Sequence, residues 1–386
     1  MAPFLRLLLN PRLTKIVIPF SDMGNTLQSI FPLIAVSCPN ATIVHLGHYF
    51  SKVKQSVELL SSLVLSWNNL VRLDCAKLDL EAIVHLSRLP SLTHLSWVFS
   101  SHDWHQIPQL VGDMRIFPRL IDLTIRSTKV SSSLMAFFDV LPSLLESLCI
   151  RVQDGFQPGV LRSALKRLSH RPLCGSLTNL SIWEGMNTQA RTYVFRYNTI
   201  KYLFNFPKLL SLTLELQSVL SLGDGVCNEI AEAWPDLRLL HLCEICYRSA
   251  QPRITLDGVT SLLAGCRKLE SLALCIDART IPTGPLPAPR HETLRFFFGG
   301  GSLLDDPNLV ARYLSQLLPS TVSCRQSPVA PIFSMPTRIR LAQEGGWLRV
   351  GRLLSEGSLP LEREELGGND ENENDPYSAD LDAQDK

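Results

Sequence analysis

One spacing of apolar residues recurs along this chain and limits what it can fold into more than any other feature. The order is Leu-x-x-Leu-x-Leu. Its cleanest copies are Leu92-Leu95-Trp97, Leu120-Leu123-Ile125, Leu145-Leu148-Ile150, Leu177-Leu180-Ile182, Leu209-Leu212-Leu214, Leu237-Leu240-Leu242 and Leu269-Leu272-Leu274. Weaker copies are Ala41-Val44-Leu46 and Leu70-Leu73-Cys75, and a degenerate one starts at Leu294 and runs into Phe296 and Phe298. The copies begin at 41, 70, 92, 120, 145, 177, 209, 237, 269 and 294, at intervals of 22 to 32 residues. One or two such matches would be chance in a leucine-rich chain; nine in series are not.

The end of each copy alternates apolar and polar, which is the period of a strand with one buried face. Between copies the period becomes helical, as in Asp79 to Leu89 and Ser131 to Leu141, where apolar residues sit three and four apart. Asp79 and the serines at 131–133 are placed to accept from the free amides of a first helical turn. Proline precedes several copies, as in Leu89-Pro90-Ser91-Leu92 and Phe206-Pro207-Lys208-Leu209. It disfavours helix in the residue before it and releases the chain into the next strand. A strand–helix unit of this size cannot bury its apolar faces alone, so the units must stack. The expected fold is α/β: a leucine-rich-repeat solenoid, a curved parallel sheet with helices on the convex face, of about nine to ten irregular repeats.

Residues 1–320 are expected to form that solenoid. Leu5, Leu7, Leu8, Leu13, Ile16 and Ile18 supply an N-terminal capping helix and first strand, and Thr26 to Cys38 the first repeat helix. Residues 321–360 read as a Pro/Ser-rich linker, with Trp347 to Leu354 as a helix closing the last repeat. Residues 361–386 hold ten acidic and two basic residues, a net of −8; the preceding 360 hold 35 basic and 26 acidic, a net of +9. The acidic end has too little apolar surface to fold by itself and is expected to stay disordered.

One stretch is more specific. Ile254-Thr255-Leu256-Asp257-Gly258-Val259, then Leu262-Leu263-Ala264-Gly265-Cys266, then Leu269, Leu272 and Leu274, resembles the cysteine-containing repeat common in F-box proteins. Cys38-Pro39, Trp67 before Leu70 and the Leu-Pro-Ser-Leu turn also resemble fungal F-box/leucine-rich-repeat proteins, over roughly residues 10 to 320. The resemblance implies a substrate receptor of an SCF-type ubiquitin ligase, whose F-box docks on a Skp-type adaptor while the repeats hold the substrate. Residues 1–40 contain no Leu-Pro-x-Glu opening of an F-box. Leu359-Pro360-Leu361-Glu362 matches the letters, but the 24 residues after it are acidic and glycine-rich. A Skp-type adaptor is therefore expected only for a form of the protein that carries an F-box; the alternative is a repeat scaffold or inhibitor with no ubiquitin role.

Other motifs give no chemistry. Cys243 and Cys246 have zinc-ligand spacing without a second pair. His45 with His48, and His102 with His105, lie on a strand and in a loop rather than on a helix face. Gly299-Gly300-Gly301 lacks the Lys-Ser/Thr of a phosphate loop. Asn40 and Asn179 open glycosylation sequons without a secretory signal before them. The ten cysteines read as reduced thiols, several of them in the core. No enzyme, cofactor or metal is expected, nor a nucleic-acid or membrane partner, and the location is expected to be cytoplasmic or nuclear. The candidate surface is the concave face, where a protein partner would meet Arg72, Asp74, His94, Ser96, Asp122, Thr124, Arg126, Cys149, Arg151, Asn179, Ser181, Trp183, Thr213, Glu215 and His241. Arg126, Arg151 and Trp183 stand out, because Arg and Trp carry much of the energy at protein interfaces.

Overall fold

A computed structural model describes residues 8–18, 26–47, 54–99, 116–157, 159–185, 193–216, 219–242, 252–285, 289–299, 302–324 and 337–356. His48, His102, His105, Cys243, Cys246, Gly300, Gly301 and the acidic segment 361–386 lie outside them.

The leucine pattern becomes one parallel sheet. Its strands are β1 (Lys15–Ile18), β2 (Ile43–Leu46), β3 (Arg72–Lys77), β4 (His94–Val98), β5 (Asp122–Ser127), β6 (Ser147–Val152), β7 (Asn179–Glu184), β9 (Ser211–Glu215), β11 (Leu239–Leu242), β12 (Ser271–Leu274), β13 (Phe296–Phe298) and β14 (Ser323–Cys324). They pair in chain order, and every pairing is parallel. Each copy is one rung, and the register aligns Leu73, Leu95, Leu123, Leu148, Leu180, Leu212, Leu240 and Leu272 in one column. All eight are buried, as are the leucines that open each copy.

The sheet has twelve strands rather than nine or ten. The additions are at its ends, where the pattern is weak: β1 has only Ile16 fully inward, and β14 is two residues long. At β13 the phase differs by one residue from the sequence reading. Phe297 is the buried side chain, while Phe296 and Phe298 point to the open face. Three consecutive phenylalanines hide the alternation, and a shift of one residue exchanges the two faces of a strand. A second, short parallel ladder pairs β8 (Val194–Arg196) with β10 (Val219–Ser221). Single bridges from Gly223 to Arg253, Thr255 to Asp277 and Asp277 to Leu303 link the later repeats in a similar way.

The helices between rungs are α1 (Thr26–Ser37), α2 (Lys54–Leu65), α3 (Leu80–Arg88), α4 (Ser132–Phe138), α5 (Val160–Ser169), α6 (Tyr197–Ile200), α7 (Asp224–Ala233), α8 (Leu256–Gly265), α9 (Pro307–Leu317) and α10 (Thr337–Glu356). The expected caps are present: Asp79 accepts from the Ala82 amide at 2.9 Å and Ser131 from the Leu134 amide at 3.2 Å. In the last helix, Trp347, Val350 and Leu354 are buried against the end of the sheet.

The turn from helix to strand carries a second repeating device. In four of the units, three of them consecutive, a buried side chain reaches back to a carbonyl of the preceding unit. The Trp67 indole donates to the Cys38 carbonyl at 2.9 Å, and that of Trp234 to the Phe206 carbonyl at 2.9 Å. The Cys266 thiol points at the Trp234 carbonyl at 3.4 Å, and His291 Nε2 lies 3.0 Å from the Cys266 carbonyl. Each of these carbonyls also accepts from the backbone amide three residues further on, so the side-chain donor is its second partner and ties one unit to the next. The cysteine of the cysteine-containing repeat is thus one of several donors for the same place. Burial pushes the Cys266 thiol up to about 12, so it stays protonated.

His291 extends this series with a pH consequence. Its Nδ1 accepts from the Leu294 amide at 3.2 Å, so its proton sits on Nε2, facing the Cys266 carbonyl. Protonating Nδ1 would set two donors against each other. Burial first, and the Arg267 charge after it, hold this imidazole below its ordinary range. The stability it contributes is therefore complete above the unfolded value of ~6.5 and is lost as pH falls through the lower folded value. We expect the melting temperature to fall on acidification below ~6.5, and His291→Gln to flatten that slope. An unchanged slope in the variant would show that other groups carry the acid sensitivity.

Candidate functional site

The sheet face away from the helices, the one expected to be concave, is lined by three aligned rows. The first runs through Arg72, His94, Asp122, Ser147 and Asn179; the second through His45, Asp74, Ser96, Thr124, Cys149, Ser181, Thr213 and His241. The third holds Val98, Arg126, Arg151, Trp183 and Glu215. Every residue named from the sequence for this face falls in one of these rows. Thr213 is the least accessible, with a relative exposure of 6%.

Register creates contacts that no single copy of the pattern reveals. Arg126 donates from one Nη to Asp74 at 3.2 Å and to Ser96 Oγ at 2.8 Å. Asp74 also lies 3.9 Å from His45 Nδ1. Sequence separations of 52 and 30 residues hide this group, although its members are one or two strands apart. Burial and then the Arg72 charge hold His94 below its ordinary range.

In the middle of the sheet the Arg151 guanidinium lies over the Trp183 ring, 5.2 Å from its centroid. Arg151 is exposed and Trp183 is 36% exposed. Toward the C-terminal rungs the face becomes aromatic. Phe296 and Phe298 stack at 6.4 Å, and the edge of His241 meets Phe298 at 5.9 Å. His241 Nε2 is also 2.8 Å from Ser271 Oγ. The sequence does not reveal this aromatic end, because the three consecutive phenylalanines place Phe296 and Phe298 in the inward phase, whereas Phe297 is the buried one.

Among the described residues no group of three His, Cys, Asp or Glu is placed to hold a metal. Eight cysteines there are free thiols, and burial pushes Cys227 and Cys324 up to about 12. No described helix is long and apolar enough to cross a membrane.

A continuous parallel sheet with one leucine-patterned strand per unit and helices between the strands defines a leucine-rich-repeat-type solenoid. No family model and no curated protein matches the chain. Among solved structures it is similar to a leucine-rich-repeat protein of Leptospira interrogans, at 15% identity and a TM-score of 0.30, over 81% of this chain and 95% of that one. The class rests on the sheet itself rather than on that loose superposition.

Proposed function

We propose that the open face of the sheet binds a protein partner, with Arg151 and Trp183 at the centre of the contact. The observation that carries this reading is the stacked Arg151–Trp183 pair on β6 and β7, the sixth and seventh of twelve strands. Interface energy concentrates in Trp, Tyr and Arg near the middle of a contact, with polar groups around them. The Asp74–Arg126–Ser96 group on one side and the His241–Phe298 pair on the other supply a polar and an aromatic flank. Arg72, His94, Asp122 and Glu215 complete the proposed contact set. The protein acts by holding a partner rather than by transforming it.

The resemblance to F-box receptors supports a finer reading, in which the bound partner is delivered for ubiquitination. The second reading is a scaffold or inhibitor with no ubiquitin role. In this chain β1 and α1 belong to the stack, so Lys15–Ile18 and Thr26–Ser37 are occupied in building the first rungs. The chain 1–386 is therefore expected not to retain a Skp-type adaptor.

Affinity purification with the full chain and with its R151A/W183A variant tests both levels. The proposed function predicts that specifically captured proteins fall at least tenfold in the variant, about 1.4 kcal/mol of affinity, without adaptor or cullin in the wild-type eluate. Equal capture by the variant would remove the open face from the account. Stoichiometric adaptor would restore the ligase reading and show that the N-terminal segment had been misassigned.

A further inference from the structure

The two halves of the open face differ in charge. On β3–β6 it carries Arg72, Lys77, Arg126 and Arg151 against Asp74 and Asp122, a net of +2. On β11–β13 the outward residues are Leu239, His241, Ser271, Ala273, Phe296 and Phe298, with no Asp, Glu, Lys or Arg among the described residues. Arg126 and Arg151 are register partners on adjacent strands, with backbones ~4.8 Å apart. Like charges so placed repel. The fold relieves this only in part. Arg126 turns back to Asp74 and Ser96 on β3 and β4. Arg151 turns the other way, over the Trp183 ring of β7. Among the described residues no carboxylate pairs with Arg151. Stacking fixes the plane of a guanidinium and leaves its N–H edges for an acceptor. A carboxylate can take two of those N–H groups at once.

We propose that the partner presents an extended segment with two chemistries: carboxylates over Arg126 and Arg151, and aromatic side chains on the Phe296–Phe298 stack. This rests on the reading that the open face binds a protein, and it names the kind of segment bound. Charge complementarity selects the acidic end. Asp74 and Asp122 stand among the cations, which suits singly charged carboxylates rather than a doubly charged phosphate group. The stacked rings of Phe296 and Phe298, with the His241 edge against Phe298, select the aromatic end. Glu215 on β9 lies between the halves and repels acids placed beyond the cationic one. The strands also set a spacing. From β6 to β13 there are five strand steps, ~24 Å along the sheet. An extended chain covers that in about seven residues.

Peptide display on the immobilised full chain tests this. The probe is a random library of linear, unphosphorylated peptides long enough to span both halves, and circular dichroism checks that each variant is folded. Enriched sequences should carry a cluster of Asp and Glu with an aromatic residue about seven positions away. By fluorescence anisotropy, the tightest of them should lose at least tenfold in affinity against R151E and several-fold against F298S. Its affinity should also fall several-fold between ~20 mM and ~500 mM salt, as screening shortens the reach of each charge. The same peptide with its acids changed to lysine should prefer R151E to the unaltered chain. Enriched peptides that need Trp183, by loss of binding to W183A, but carry no acidic cluster or ignore R151E would overturn this inference and leave the open face as the binding surface. A library without enriched sequences would overturn it too. Peptides indifferent to W183A, R151E and F298S alike would place binding elsewhere and overturn the proposed function with it.

Discussion

Leu212→Ala is expected to destabilise the protein by ~2–5 kcal/mol, the range for removing a buried leucine and leaving its cavity. Leu212 is fully inward on β9, in register with Leu180 of β7 and Leu240 of β11. A stack of this kind is quasi-one-dimensional, and its stability comes from each unit plus its two interfaces. A cavity in a central rung weakens both interfaces, so the loss should appear in the unfolding of the whole stack. Chemical denaturation monitored by far-UV circular dichroism measures it. A change below ~0.5 kcal/mol, the scale of a surface substitution, would contradict the placement of the column.

Trp347→Ala should cost as much, ~3–5 kcal/mol as for other large buried aromatics, but with a different signature. The indole covers Phe297 at 6.1 Å between centroids and donates to the Ser302 carbonyl at 3.1 Å. Gly299 passes so close that a Cβ there would lie 2.8 Å from the ring. The tryptophan therefore seals the last rungs where no further repeat follows in the described sheet. Removing it exposes one end only, and the C-terminal units should open before the rest. Limited proteolysis should cut first between 299 and 356 in the variant, while the central rungs keep their protection. A single cooperative loss of all rungs at once would show that α10 is not a local cap.

How much of this was readable beforehand follows from what a leucine pattern encodes. It fixes which residue of each strand points inward, so the central rungs and the three outward rows were legible from copies such as Leu120-Leu123-Ile125. Cap chemistry was legible too, because Asp79 and Ser131 act within one turn of their own position. Register across strands was not. The Asp74–Arg126 contact depends on how many residues each intervening loop absorbs. The phase of Phe296-Phe297-Phe298 was not legible either, because nothing polar interrupts it. Nor was the buried donor series at the turns, since cysteine, tryptophan and histidine fill one role there and share no letter. β1 and β14 lie at the ends of the sheet, where the pattern fades and pairing with a neighbour defines the strand.

The proposed partner contact lies on the open face of the sheet, and side-chain oxidation footprinting of the captured complex decides between that face and the helices. Hydroxyl radicals modify exposed aromatic, histidine and sulfur-containing side chains, and the open face carries Trp183, Phe296, Phe298, His94, His241 and Cys149. Tyr197 and His170 on the helix side serve as controls, since both are exposed there. On binding, Trp183 should be protected several-fold, together with His94 and His241, while Tyr197 and His170 react as in the unbound chain. Protection of Tyr197 and His170 with Trp183 unchanged would place the partner on the helices and contradict it.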